Sequence, residues 1–262
     1  MGINKKGNRI GEEKLNNQGS LMRIIEYNNF ADIVVEFQDE YKSKAHTTYT
    51  NYLNGEVKNL YYPYVFGIGM IGSKYSSRIN GIKLKEYKTW MTMLYRCTNI
   101  ELKEKEPTYQ DVACCNEWLC YENFYEWLHS QENFNKWLNS DKWHLDKDIL
   151  LKGNKIYSPE TCCLVPQNVN KLFLKRDATR GDLPIGVYKT KDSNKYYAYC
   201  QNPFTKRKEY LGSYYTSSEA FLVYKNRKEI LIKQVAQEEY GNGNITKQCY
   251  DAMMNYEVEI TD

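Results

Sequence analysis

The chain alternates between two hydrophobic periods. Its first part carries short β-branched runs, Met22-Arg23-Ile24-Ile25-Glu26-Tyr27 and Asp32-Ile33-Val34-Val35-Glu36-Phe37, with Asn28-Asn29 between them as a turn signal. A further extended stretch is expected over 47–53, broken by Asn54-Gly55. Together these predict a small antiparallel β-module over 1–80. From Gly81 the period becomes helical: Tyr87, Trp90, Met91, Leu94 and Tyr95 fall on one stripe, and a second helical stretch begins at Glu117. Within it Glu122-Asn123-Phe124-Tyr125-Glu126-Trp127-Leu128 returns as Glu132-Asn133-Phe134-Asn135-Lys136-Trp137-Leu138. Two amphipathic turns reusing one aromatic packing arrangement account for this echo; two copies do not make a solenoid.

Beyond Trp143 the pattern becomes a strand, a Gly153-Asn154 turn and a Pro-containing return into another helix. From about Leu183, three alternating runs predict strands: Ile185-Gly186-Val187-Tyr188, Lys195-Tyr196-Tyr197-Ala198-Tyr199-Cys200 and Arg207-Lys208-Glu209-Tyr210-Leu211-Gly212. Thr216-Ser217-Ser218-Glu219 has the form of a capping box, opening a helix with Ala220, Tyr224, Leu231 and Val235 on or near one face. The fold class expected is α+β, in segments 1–80, 81–176 and 183–262.

Composition narrows the function classes. At 262 residues with 42% hydrophobic and 26% charged positions, the chain can bury a core, and wholesale disorder is excluded. No apolar run is long enough to cross a bilayer, and the polar opening to Gly19 has no signal-peptide core, so a cytoplasmic home and no membrane partner are expected. Eight cysteines without a secretory signal point to thiols or metal ligands in a reducing compartment. Net charge is only +3, but residues 165–212 hold ten Lys/Arg against four acids, so the rest of the chain is net negative. That positive stretch is interleaved with Tyr188, Tyr196, Tyr197 and Tyr199. Clustered cations with aromatic tips suit nucleic-acid phosphates, sugars and bases, and a sheet can enter a major groove. The alternative is a solvated charged face on an ordinary domain.

Two resemblances sharpen this. Ile185-Gly186-Val187-Tyr188, Tyr197-Ala198-Tyr199, Lys208-Glu209-Tyr210-Leu211-Gly212-Ser213-Tyr214 and Thr216-Ser217-Ser218-Glu219-Ala220-Phe221 resemble, in order and spacing, the APETALA-type DNA-binding domain, over about 183–230. That domain also occurs in phage and mobile-element endonucleases. The resemblance implies a three-stranded sheet in the major groove of double-stranded DNA. Contacts would come from Tyr188, Lys189, Lys191, Lys195, Tyr197, Tyr199, Lys206, Arg207 and Lys208. Upstream, Trp90-x-x-Met93-x-x-Arg96-Cys97, Tyr109-x-x-Val112, Cys115-x-x-Trp118, Leu145-Asp146-Lys147-Asp148, Gly153-Asn154, Tyr157-Ser158-Pro159-Glu160-Thr161-Cys162 and Val165-Pro166 resemble phage-borne HNH endonucleases. The N-terminal β-module resembles segments that precede HNH regions in such proteins. A phage or prophage product in a bacterial host is implied.

An HNH site wraps a hairpin and a helix around one divalent cation. Carried over, Asp146 is the metal-binding acid, and Asn168 or Asn170 is the helix ligand for Mg²⁺ or Mn²⁺. The family's general-base His position holds Lys147, which needs a depressed pKa to accept a proton. His144, two positions before Asp146 on a strand, shares its face and is the stand-in base; Asp148 is expected on that face too. Cys97, Cys115 and Cys162 sit where this branch shows Cys. Packed thiols and a structural zinc site are both open, although no C-x-x-C pair is present. Two functions therefore stand: a metal-dependent endonuclease or nickase aimed by the C-terminal sheet, or a DNA-binding regulator or inhibitor of a host nuclease that kept the scaffold without the chemistry. A third makes the tyrosine-rich surface a protein interface.

Overall fold

The computed structural model describes residues 9–174, 182–190, 194–260 and 262. The chain is α+β and divides into two compact units, 1–126 and 127–262.

The first unit opens with a four-stranded antiparallel sheet in sequence order: β1 (Glu13–Leu15), β2 (Leu21–Asn29), β3 (Asp32–Phe37) and β4 (Lys44–Thr47). Alternation sends Met22 and Ile24 of β2, with Ile33, Val35 and Phe37 of β3, into one core that Tyr52 and Val57 complete. The extended stretch expected over 47–53 is instead a helix, α1 (Tyr49–Asn54). Thr48 caps it by accepting the Asn51 N–H on its hydroxyl (3.1 Å), and Gly55 ends it in the left-handed region at φ 69°. A short hairpin, β5 (Arg78–Ile79) and β6 (Ile82–Lys83), precedes α2 (Lys85–Thr98). In α2 Tyr87, Trp90, Met93 and Leu94 are buried, and Trp90 Nε1 donates to the Trp118 carbonyl (2.7 Å). The stripe thus runs through Met93, whereas Tyr95 of the expected stripe is exposed. Next come α3 (Ile100–Lys105), the short β7 (Ala113–Cys114) and α4 (Tyr121–Ser130).

In the second unit follow α5 (Phe134–Leu138), β8 (Trp143–Asp146), the short β9 (Ile156–Tyr157), β10 (Cys163–Pro166) and α6 (Gln167–Asn170). The sequence echo does not repeat its packing. Phe124 and Leu128 are buried in the first copy; in the second, Trp137 is buried and Leu138 is exposed. α5 is only five residues long, too short to present the same stripe.

β8 and β10 pair antiparallel, with Asp146 opposite Cys163 and His144 opposite Val165. The C-terminal sheet is β11 (Val187–Lys189), β12 (Tyr196–Gln201) and β13 (Lys208–Tyr214), in that order. It is followed by α7 (Ser217–Gly241) and α8 (Lys247–Met254). Thr216 and Glu219 form the complete capping box, and Ala220, Tyr224, Leu231 and Val235 are buried as the spacing predicts.

Early in α7, Ala220 packs with Val187 and Ala198 of the sheet. Further along, Leu231, Ile232, Val235 and Ala236 share a core with Ile149, Cys163, Val165 and Val169. Residues of the 81–176 and 183–262 segments therefore meet in one core. Gly186 makes the α7 crossing feasible. Its φ is +77°, and a Cβ there would sit 2.1 Å from the Tyr224 ring.

Candidate nucleic-acid interface and hairpin site

The C-terminal sheet has two unlike faces. Val187, Ala198 and Cys200 point to α7 and are buried. Period-two alternation then turns Tyr188, Tyr197, Tyr199 and Tyr210 the other way. Tyr188 and Tyr199 meet edge to face at 5.5 Å, and Tyr199 and Tyr210 at 5.3 Å. The Lys208 ammonium sits 3.7 Å from the Tyr188 ring centre and 4.6 Å from that of Tyr199. Tyr188 and Tyr210 are half exposed, so this is an open aromatic face with a cation seated on it.

The other expected contacts scatter. Arg207 is exposed in the turn between β12 and β13, where its carbonyl accepts the Asn202 N–H (2.9 Å). Lys189 alternates away from the tyrosines, and its ammonium approaches the Tyr196 ring at 4.8 Å. Lys195 lies over Tyr215 at 5.1 Å. Lys206, held at φ 58° in the same turn, lines a separate cavity. Lys191 lies outside the described residues. The open face is thus richer in tyrosine and poorer in cations than charge counting suggests. Tyr210 is the contact candidate that the sequence pattern alone did not single out, although its two-residue spacing from Lys208 encodes it.

The hairpin brings part of the expected site together. His144 and Asp146 share a face of β8, opposite buried Val165 and Cys163. Asp146 Oδ2 accepts the Asn170 side-chain amide (2.9 Å), joining hairpin to α6 as the resemblance implies. Its Oδ1 accepts the backbone N–H groups of Asp148 (2.8 Å) and Ile149 (3.0 Å). Burial pushes this carboxyl above its ordinary pKa, and the two backbone N–H groups pull partly back.

The same hydrogen bonds end β8 and turn the chain, so strand alternation stops at Asp146 and Asp148 does not continue that face. Asp148 is instead clamped by Lys147, whose Nζ lies 2.7 Å from both carboxylate oxygens and donates to the Asn154 carbonyl (3.2 Å). Lys147 is buried in this arrangement, with its side-chain nitrogen engaged by the Asp148 carboxylate and the Asn154 carbonyl. Asn168 does not join Asp146; its amide donates to Glu239 of α7.

In this arrangement the Asp146 carboxylate accepts three N–H groups, and that of Asp148 is held by Lys147. Among the described residues no three His, Cys, Asp or Glu side chains converge into a metal-holding group. Cys97 and Cys115 lie half-buried in the first unit and Cys162 buried in the second, none of the three in a disulfide. Burial pushes the Cys162 thiol up to about 12.

Among the described residues no helix is long and apolar enough to cross a membrane. Comparisons with protein-family models, with curated proteins and with solved structures gave no match for this chain.

Proposed function

We propose that this chain binds duplex DNA through the open face of its C-terminal sheet, and that it does so without cutting. The observation that carries the reading is the cluster of Tyr188, Tyr199 and Tyr210 around Lys208 on a sheet whose opposite face α7 covers. Three strands spaced about 4.8 Å apart make a ribbon about 10 Å wide, close to the roughly 12 Å of a major groove. Tyrosine hydroxyls can reach phosphates, sugars and base edges, and Lys208 with the neighbouring Arg207 supplies phosphate charge. The non-cutting part rests on the hairpin, where Asp146 already accepts three N–H donors and Lys147 is hydrogen-bonded to Asp148.

A mobility-shift titration over a range of salt tests the binding. Replacing Arg207 and Lys208 together by alanine should weaken binding and flatten the salt slope by about two, one for each cation removed from a phosphate. Tyr199→Ala should weaken binding with no change in that slope. Affinity and slope unchanged in the double variant would overturn the reading. For the non-cutting part, supercoiled plasmid with Mg²⁺ or Mn²⁺ should stay intact, and nicking that disappears in Asp146→Ala would refute it.

A further inference from the structure

A second cationic feature of the 127–262 unit lies apart from the tyrosine face. A cavity of about 600 Å³ is walled by the open end of the hairpin, the start of α6, the β12–β13 turn and α7. That volume is within the range of small-molecule sites. Four lysines reach it from four different places: Lys142 before β8, Lys171 after α6, Lys206 in the turn, and Lys228 on α7. Among the described residues none of the four is in a salt bridge with an acidic side chain. The wall has one carboxylate, Glu239, whose two oxygens accept the side-chain amides of Asn168 and of Asn244 (2.7 Å for the latter). Each Glu239 oxygen thus accepts from a neutral amide, and none of the four lysines is in a salt bridge with it among the described residues. Trp143 adds an aromatic wall, and the amides of Gln167 and Gln201 add donors and acceptors.

We propose that this cavity binds a phosphate monoester carried on a planar base, that is, a nucleotide. Four lysines around one cavity, with Glu239 the one carboxylate in its wall and Asp262 acting on Lys228, leave a net positive site that suits a multiply charged anion. A phosphate monoester is a dianion near neutral pH, with three strong acceptor oxygens for lysine donors. Trp143 and the two glutamines give a flat partner and hydrogen-bonding groups of the kind that hold a base. Lys228 is the central member: it is half-buried on α7, and desolvation lowers its pKa, a cost that a bound anion offsets. The same chemistry is offered by a free mononucleotide and by the 5′-phosphorylated end of a DNA strand. The site does not depend on the sheet binding duplex DNA.

Isothermal titration calorimetry on the full chain tests it with adenosine 5′-monophosphate, adenosine, inorganic phosphate and a 5′-phosphorylated oligonucleotide. The expected result is binding of the monophosphate, at least tenfold weaker in Lys228→Met, and weaker still for adenosine and for inorganic phosphate. Trp143→Leu should weaken the monophosphate and leave inorganic phosphate unchanged. Because Lys228→Met alters a half-buried position, Lys142→Ala, at an exposed one, serves as the second variant and should weaken binding severalfold. Oligonucleotide binding that the monophosphate displaces identifies a strand end as the source, and binding of the monophosphate alone identifies the free nucleotide. No heat with any phosphate, or equal affinity in both lysine variants and the unaltered protein, would overturn the proposal. Arg207→Ala with Lys208→Ala should leave monophosphate binding intact, which separates this outcome from that of the sheet.

Discussion

Removing the Asp146 carboxylate tests whether it is a structural hub or a metal ligand. In the folded chain it accepts three hydrogen bonds, from the N–H groups of Asp148 and Ile149 and from the Asn170 amide. Asp146→Ala strips the acceptor from all three. A hydrogen bond to a charged group contributes about 1.5–3 kcal/mol when intact. Water can replace the acceptor for the Asp148 N–H, beside a half-exposed side chain, so that loss is at the low end. The sum comes to about 4.5–7.5 kcal/mol.

Asp146→Asn keeps an oxygen for the two backbone donors and loses only the bond to Asn170, so about 1.5–3 kcal/mol is expected. Adding Asn170→Asp to it reverses donor and acceptor and should recover most of that loss. Urea unfolding measures the stabilities, and hydrogen exchange at Asp148 and Ile149 reads the local effect directly. Exchange there should quicken at least about tenfold in Asp146→Ala, since each 1.4 kcal/mol is a factor of about ten. Stability within about 0.5 kcal/mol of the native chain would refute the hub reading. So would millimolar Mn²⁺ raising the melting temperature of the native chain but not of Asp146→Ala, because a ligand that binds only the folded state stabilises it.

Two further outcomes follow from the second unit. Gly186→Ala should destabilise by about 2–4 kcal/mol in thermal melts, since it combines a positive φ with a Cβ 2.1 Å from Tyr224, and trimming the ring by Tyr224→Leu should reduce the penalty of the second change. Glu209 is held by Arg227 and Asn202 at a pKa of about 2, below its ordinary 4.5. A depressed carboxyl contributes fully above 4.5 and loses its contribution as pH falls toward 2, so Glu209→Gln should be less stable at pH 6 and show a flatter acid limb in denaturation.

The elements with local signals were legible in the sequence. The capping box at Thr216, the alternation of β12 and the helical face of α7 each follow from short-range spacing, and all three are present as expected. The stretch after Thr47 is a helix where a strand was expected, because Tyr49, Thr50 and Tyr52 favour strands while the decisive features are a Thr48 cap and a left-handed Gly55. The hairpin site was half legible. Spacing puts His144 with Asp146, and the resemblance supplies Asn170, but nothing local says that Asp146 ends its own strand and so releases Asp148 to Lys147. Nor does charge counting tell on which side a lysine emerges: Lys189, Lys206 and Lys208 lie in one cationic stretch and point to three different surroundings. The cavity was invisible for a related reason, since Lys142, Lys171, Lys206 and Lys228 are far apart in the chain.

α7 is 25 residues long, a rod of about 37 Å, and it serves the tyrosine sheet near its start and the hairpin core farther along. Because one continuous helix carries both, their mutual angle is written in residue count. Deleting a single position between Tyr224 and Leu231 would swing one part by about 100° against the other, while inserting seven residues, about two turns, would nearly restore the facing and lengthen the gap. A fragment begun at residue 183 would leave Leu231, Ile232 and Val235 without their hairpin partners, facing water. The tyrosine sheet and the hairpin are thus geared together, and neither could be re-aimed by altering the segment that joins them in sequence while this axle stays intact.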